Sequence, residues 1–405
     1  MRFPGLKFGS LKIPRNVWVT GWVSFFMDVS SEMVYPLVPL FLSSSLGASK
    51  SVIGLIEGIA EAAASILKLF SGALADRFGK HKLLMGLGYG IATASRPLLA
   101  MATGWGMVLT ARFTDRVGKG IRTAPRDAII AASTPPERLG LAFGFHRALD
   151  TAGAVVGPAV ALLILAVWVA DYRLVFWLSI IPGVLAVALI VFFITADGPA
   201  PLMKTKFSWS LQGFDARFVG FIAVVGLFSL GNSSNAFLIL KAEHAGISPA
   251  WISGVYLAFN ATYVLVSIPG GMLADRIGMR PVIAGSFVLF AVVYAGFALA
   301  DTPWPIAGLF VLYGVYMGFA EGVQRAYLAT LVPSERKATG FGLYHMVVGI
   351  AILPASLIAG FLWDHIGPAA PFWFGAASAT LAAILFAGLS WRNSRPRLLK
   401  LPSDA

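Results

Sequence analysis

Apolar residues in this chain come in long runs, separated by short polar stretches, from about residue 16 to about residue 391. Twelve blocks can be read: 16–43, 50–75, 82–102, 106–133, 138–168, 173–196, 216–241, 249–274, 280–300, 304–332, 337–363 and 370–391. A helix rising about 1.5 Å per residue crosses about 30 Å of hydrocarbon in about 20 residues, so each block is long enough to span. Backbone groups in lipid must be satisfied internally, which leaves helices or closed barrels, and runs this long are not barrel strands. The pattern predicts an all-α integral membrane protein with twelve transmembrane helices. The widest gap, at 197–213, carries Pro199, Pro201, Lys204 and Lys206 and reads as a linker. The expected organisation is a tail at 1–15, six helices at 16–196, the linker, six helices at 214–392 and a tail at 393–405.

Composition agrees. The chain is 58% hydrophobic and 12% charged, against about 25% charged in ordinary soluble domains. The net charge of +12 is placed for a membrane rather than for nucleic acid. Arg2, Lys7, Lys12, Arg15, Arg77, Lys80, Lys82, Lys204, Lys206, Arg276, Arg280, Arg392 and Arg395 fall on one side of the span pattern, whereas Lys50, Arg173 and Lys241 fall on the other. That bias puts both termini in the cytoplasm. With no cysteine there are no disulfides or thiolate metal sites. The segment Met1–Pro14 is basic and broken by Pro4, Gly5 and Gly9, which does not read as a secretory signal.

The two halves repeat. Gly72-Ala-Leu-Ala-Asp76-Arg77-Phe-Gly79 returns as Gly271-Met-Leu-Ala-Asp275-Arg276-Ile-Gly278, and Pro136-Glu137-Arg138 has its counterpart in Ser334-Glu335-Arg336. A duplicated polytopic chain points to two bundles moving around a central site.

Charge inside hydrocarbon costs several kcal/mol unless paired or wet, so its placement is informative. The fourth block carries Arg112, Arg116, Lys119, Arg122 and Arg126 at spacings of 4, 3, 3 and 4, one helical face, with Asp115 among them and Asp127 beside it. Such a ladder must face water or opposing carboxylates. It reads either as an electropositive path for an anion, with Arg112, Arg116, Lys119 and Arg122 as contacts, or as a salt-bridge network remade during motion. Carboxylates are available in Asp28 and Glu32, i and i+4 in the first block, in Glu61 of the second and in Asp150 of the fifth. An acid facing a movable cation can change its protonation, which makes these four the candidates for proton coupling. In the second half, Gly231-Asn232-Ser233-Ser234-Asn235 reads as a broken, cavity-lining segment. Asn232 and Asn235 there, with Glu321 and Arg325 of the tenth block, complete the substrate-binding candidates.

Six spans per half, a basic linker and the repeated Gly-x-Leu-Ala-Asp-Arg-x-Gly loop resemble the major facilitator superfamily over nearly the whole chain. The resemblance implies alternating access, with spans 1, 4, 7 and 10 lining the pathway. It implies a conformational latch made of Gly72, Asp76, Arg77, Gly79 and Lys80 with Asp127 as partner, and a weaker second copy at Asp275 and Arg276, where Met279 replaces the usual cation. Gly153-Ala-Val-Val-Gly157-Pro158 resembles the motif of proton-coupled drug and metabolite antiporters, although Ala159-Val160-Ala161 lacks the glycines that normally follow. At Arg112-Phe-Thr-Asp115-Arg116 the chain departs from the family's Arg followed by Gln-Gly.

The expectation is a multi-pass secondary transporter of a bacterial inner membrane or a plasma membrane. It is read as a proton-coupled antiporter exporting a small anionic or zwitterionic compound, the alternative being proton symport or facilitated import of an organic anion. Its partners would be the lipid bilayer, a small-molecule substrate and protons, with no nucleic acid. Neither a cofactor nor a metal is expected, nor enzymatic activity, since the sequence holds no Ser/His/Asp or His-metal cluster and no Gly-x-x-x-x-Gly-Lys-Ser/Thr loop. Transporters resembling this one usually act as monomers.

Overall fold

The computed structural model describes residues 13–78, 80–135, 138–167, 171–195, 214–333 and 337–392. Among them the chain is helical. The elements are α1 (Arg15–Val34), α2 (Lys50–Phe78), α3 (His81–Ala100), α4 (Trp105–Ala132), α5 (Leu139–Val167), α6 (Tyr172–Leu178), α7 (Ile180–Phe193), α8 (Ala216–Gly231), α9 (Ala236–His244), α10 (Pro249–Ile277), α11 (Met279–Leu299), α12 (Pro303–Leu331), α13 (Lys337–His365) and α14 (Ala370–Arg392). Short 3-10 and π turns carry α1 on to Ser45.

Local chemistry sets many of these ends. Pro249 and Pro303 open α10 and α12, where a missing N–H costs nothing. Asp171 and Asp215 cap α6 and α8 by accepting from the backbone N–H of Arg173 and Arg217. Gly278, the last residue of the second repeat copy, ends α10 at φ +93°, a conformation that L side chains rarely adopt. The second copy therefore keeps its closing glycine for a backbone reason.

Nine helices or continuous helical runs among the described residues are long and apolar enough to cross a membrane. The sequence-derived count of twelve is not reached, because α2, α3 and α4 fall outside that set. In α4 the cause is the seven charged side chains from Arg112 to Asp127. The exposure pattern supports a lipid setting: Phe192, Leu265 and Ile268 are each 74% exposed, whereas Arg96 and Arg112 are 2% and 4% exposed. These apolar groups face outward and these charges inward, the reverse of a water-soluble protein.

The chain divides into two compact units, Met1–Val38 with Ala63–Lys204, and Pro39–Ala62 with Thr205–Ala405. The boundary runs through α2. In the first unit, α1 packs on α5 and α7, and α3 packs on α4 and α7. In the second, α8 packs on α13 and α14, and α11 packs on α12 and α14. Each unit thus repeats the same four pairings between corresponding spans, the structural counterpart of the sequence repeat. The first core joins Val23 and Met27 of α1 to Met85 and Tyr89 of α3 and Ile190 of α7. Aromatic rings fill the second, with Phe228, Phe287, Phe290, Tyr294, Tyr313 and Tyr316 in mutual contact.

Candidate functional site: the charged interior of the first unit

Backbone approach at glycines fixes where the α4 ladder lies. A Cβ at Gly88 would stand 2.7 Å from the Arg122 Cβ, and one at Gly118 would stand 2.5 Å from the Gly88 carbonyl oxygen. Helices α3 and α4 therefore touch backbone to backbone. Arg96 of α3 then lies against Asp115 of α4, Nη2 to Oδ1 at 3.0 Å. The same guanidinium donates to Ser31 Oγ at 2.9 Å and to Ser30 Oγ at 3.3 Å, so α1, α3 and α4 are tied at one point. Arg116 shares the other oxygen of Asp115 at 3.7 Å. Arg112 and Arg116 both lie over the Tyr35 ring, at 5.3 and 6.0 Å, and Arg122 lies over Tyr89 at 4.4 Å. At the far end Arg126 pairs with Asp127 at 2.9 Å and approaches Asp150 at 3.9 Å.

The α1–α5 seam supplies the carboxylates. A Cβ at Gly153 would meet the Phe25 carbonyl oxygen at 2.4 Å and the Asp28 Cβ at 3.0 Å. One at Gly157 would meet the Glu32 Cβ at 2.8 Å and the Val29 carbonyl oxygen at 2.9 Å. The two glycines that resemble an antiporter motif are thus the surfaces on which Asp28 and Glu32 rest, and Pro158, beside Gly157, is buried within α5. Asp28 of α1 and Asp150 of α5 face each other across this seam. Arg147 also reaches Asp150, at 3.1 Å. Glu32 is electrostatically coupled to Lys119, Arg116, Arg112 and Arg96, and its Oε2 is buried without a hydrogen-bond partner. One turn before Asp28 on the same seam, Ser24 Oγ lies 2.7 Å from His146 Nε2 and 3.2 Å from the Tyr89 hydroxyl.

These contacts form rungs. Ser24, Asp28 and Glu32 descend α1 at four-residue intervals, and His146, Asp150, Gly153 and Gly157 descend α5 in step with them. The α4 cations run antiparallel to both, with Lys119 and Arg122 acting on Asp28. Asp28 therefore faces Asp150 across the seam as well as Glu32 on its own helix, a juxtaposition that sequence spacing did not reveal. Tyr35, Tyr89 and Ser24 were also missed: single aromatics and serines carry no signal until a helix neighbour is known.

The remaining candidates lie elsewhere. Asn232 and Asn235 bound a non-helical break between α8 and α9, where Asn235 accepts from the Tyr313 hydroxyl at 2.9 Å. Glu321 pairs with Arg325 one turn along α12 and accepts from the Tyr263 hydroxyl. These belong to the second unit, as does Glu61, half-buried on the first part of α2. Of the latch candidates, Gly79 lies outside the described residues, as do the side chains of Asp76 and Arg77; Gly72 lies within α2. Lys80 is exposed. Asp127, expected to serve that loop, has Arg126 as a partner. Asp275 and Arg276 are exposed at the end of α10. Among the described residues no group of His, Asp or Glu side chains forms a metal site.

Comparison with known proteins agrees with this architecture. The chain is 35% identical over 384 residues to an MFS-type transporter of Methanocaldococcus jannaschii, covering 92% of this chain and 94% of that one. It is 23% identical over 368 residues to the quinolone resistance protein NorA of Staphylococcus aureus, covering 86% and 90%. The solved structure of the nucleoside transporter NupG superposes with a TM-score of 0.78 at 15% identity, covering 92% of this chain and 99% of that one, a likeness of fold. The model of the Major Facilitator Superfamily matches residues 20–214 and 218–405. The chain belongs to the Major Facilitator Superfamily of transporters.

Proposed function

We propose that the protein is a twelve-span secondary active transporter working by alternating access as a proton-coupled antiporter. It exports a small anionic or zwitterionic organic compound. The observation that carries this reading is the arrangement of the α1 acids. Asp28 and Glu32 rest on the Gly153 and Gly157 backbone of α5 and face the α4 cations. Any shift between α1, α4 and α5 changes which cation each acid meets, and the proton affinity of a buried carboxyl follows its nearest charge. Proton uptake and helix movement are then two sides of one equilibrium. Asp150, which faces Asp28, and Glu61 are further acids for the same role.

The cations give the substrate its sign. Arg112, Arg116, Lys119 and Arg122 present more positive charge than Asp115 and Glu32 neutralise, which favours an anionic group. Asn232, Asn235, Glu321 and Arg325 serve the uncharged and cationic parts of the substrate. Two six-helix bundles at 16–196 and 214–392, cytoplasmic termini, a monomer and residence in a bacterial inner or plasma membrane complete the picture. The latch residues Gly72, Asp76, Arg77, Gly79 and Lys80, and Asp275 and Arg276 in the second copy, bias the equilibrium between states. Relatives that include a quinolone resistance protein support export.

The test is flux. Purified protein is screened by thermal stabilisation, starting with quinolones, because a ligand raises the melting point by mass action. Transport of a hit into inside-out vesicles is then measured with and without a pH gradient, for wild type and for Asp28→Asn and Glu32→Gln. Acid inside the vesicles should drive accumulation that both variants lose. Flux indifferent to the gradient would remove the proton-coupled part of the proposal, and gradient-driven movement in the opposite sense would favour symport.

A further inference from the structure

Away from the charged interior, the outer faces of α3 and α7 enclose an open apolar groove of about 840 Å³. Gly86 and Gly90 form its α3 floor, Val187 and Val191 its α7 wall, and Lys80 and Lys82 stand at one end. A second cavity of about 500 Å³ shares Gly90, Val187 and Val191 and continues the groove to Pro97 and Ile180. No charged side chain lines this continuation. The groove is therefore polarised, cationic at one end and hydrocarbon-like along the rest. From Lys82 to Pro97 it follows 15 residues of α3, about 22 Å at 1.5 Å per residue, which exceeds the roughly 15 Å of one leaflet's hydrocarbon. Lys82 is held at the mouth by donating Nζ to the carbonyl oxygens of Ile194 at 2.7 Å and Val191 at 3.1 Å. Those two backbone carbonyls hold the ammonium in place at the mouth. Lys80 beside it is exposed.

We propose that this groove is a binding site for an anionic diacyl phospholipid, its phosphate at Lys80 and Lys82 and one acyl chain lying along α3 and α7. Shape alone would admit any lipid. The lysine pair at a single end selects a negatively charged headgroup, because a juxtamembrane lysine favours anionic lipid by about fivefold. The site depends on the membrane setting of the chain and not on its substrate or coupling ion, so it stands or falls apart from the antiport reading.

The glycines make a clean test. A Cβ at Gly90 would meet nothing within 4 Å, so Gly90→Leu fills the groove without disturbing the helices. Wild type, Gly90→Leu and Lys80→Gln are purified in detergent with an equal mixture of phosphatidylglycerol and phosphatidylcholine, and the retained lipid is counted by native mass spectrometry. Wild type should retain phosphatidylglycerol in preference. Lys80→Gln should lower that preference about fivefold, and Gly90→Leu should remove the bound lipid while melting like wild type. Equal retention of the two lipids by wild type, or unchanged retention in Lys80→Gln, would overturn the proposal. So would unchanged retention in a folded Gly90→Leu, since the lipid would then be adventitious belt lipid only.

Discussion

Replacing Asp115 by Asn keeps the shape of the interior and removes its central counter-charge. Asp115 is 5% exposed and lies 3.0 Å from Arg96 and 3.7 Å from Arg116, which are 2% and 6% exposed. Arg112 and Arg122 act on the same carboxylate. Without it Arg96 keeps only the hydroxyls of Ser30 and Ser31 among these contacts, amid guanidinium groups of like sign. Removing one partner of a buried pair typically costs about 3–5 kcal/mol, mostly through the charge left behind. With an unfolding entropy of about 2.1 cal/mol/K per residue, a chain of this length loses about 1.2 °C per kcal/mol, so Asp115→Asn should melt about 4–6 °C lower. The assay is thermal unfolding in detergent, followed by tryptophan fluorescence, for wild type, Asp115→Asn, Arg96→Gln and the double variant. The double variant should be less damaged than the sum of the singles, because it strands no charge. A drop below about 1 °C for Asp115→Asn, or strictly additive effects, would show that the pair is solvated and that the buried-network reasoning is wrong.

The α1–α5 seam should tolerate no side chain: Gly157→Leu, whose Cβ would already lie 2.8 Å from the Glu32 Cβ, is expected to cost at least the 1–3 kcal/mol of core overpacking, and wild-type melting would refute the contact. Asp301, in the turn between α11 and α12, is held below the usual carboxylate range by the hydrogen bond from Lys241. A depressed value stabilises above the unfolded pKa of about 3.9 and is lost as pH falls through the lower folded value. Asp301→Asn should therefore flatten the acid-side decline in melting temperature below about pH 4, and an identical decline in the variant would count against the pair. Asp364 accepts from the backbone of Lys50 at 3.0 Å and from the backbone and hydroxyl of Ser51 at 2.8 and 2.6 Å, capping the first turn of α2. Asp364→Ala should lose about 1–2 kcal/mol, as caps do, and hydrogen exchange in that turn should quicken; unchanged exchange would show that the cap is dispensable.

The fold was legible because hydrocarbon imposes a length and a polarity on every crossing helix. The repeat at Gly72–Gly79 and Gly271–Gly278 announced the two halves, and the run from Asn232 to Asn235 announced the break between α8 and α9. The small turn at Ser179, which separates α6 from α7, left no mark in an apolar stretch. The charged ladder was readable as one face of α4 from spacing alone. Its partners were not, because Asp28 finds Asp150 and Arg96 finds Asp115 only after helices separated by long stretches of chain are packed. Gly153 and Gly157 illustrate the limit. Their spacing marked a packing face, but only the structure puts the backbone beside Asp28 and Glu32 against it. The Asp364 cap joins residues 313 and 314 positions apart, a distance at which no local pattern operates.

The most direct measurement is chemical access to the ladder. The chain has no cysteine, so a single Lys119→Cys can be challenged with a membrane-impermeant thiol reagent in proteoliposomes, beside Leu265→Cys of α10, whose native side chain is 74% exposed. If the charges border a hydrated chamber, position 119 reacts readily and position 265, on the apolar surface, does not. Reaction at 265 with none at 119 would mean that water does not reach the cations.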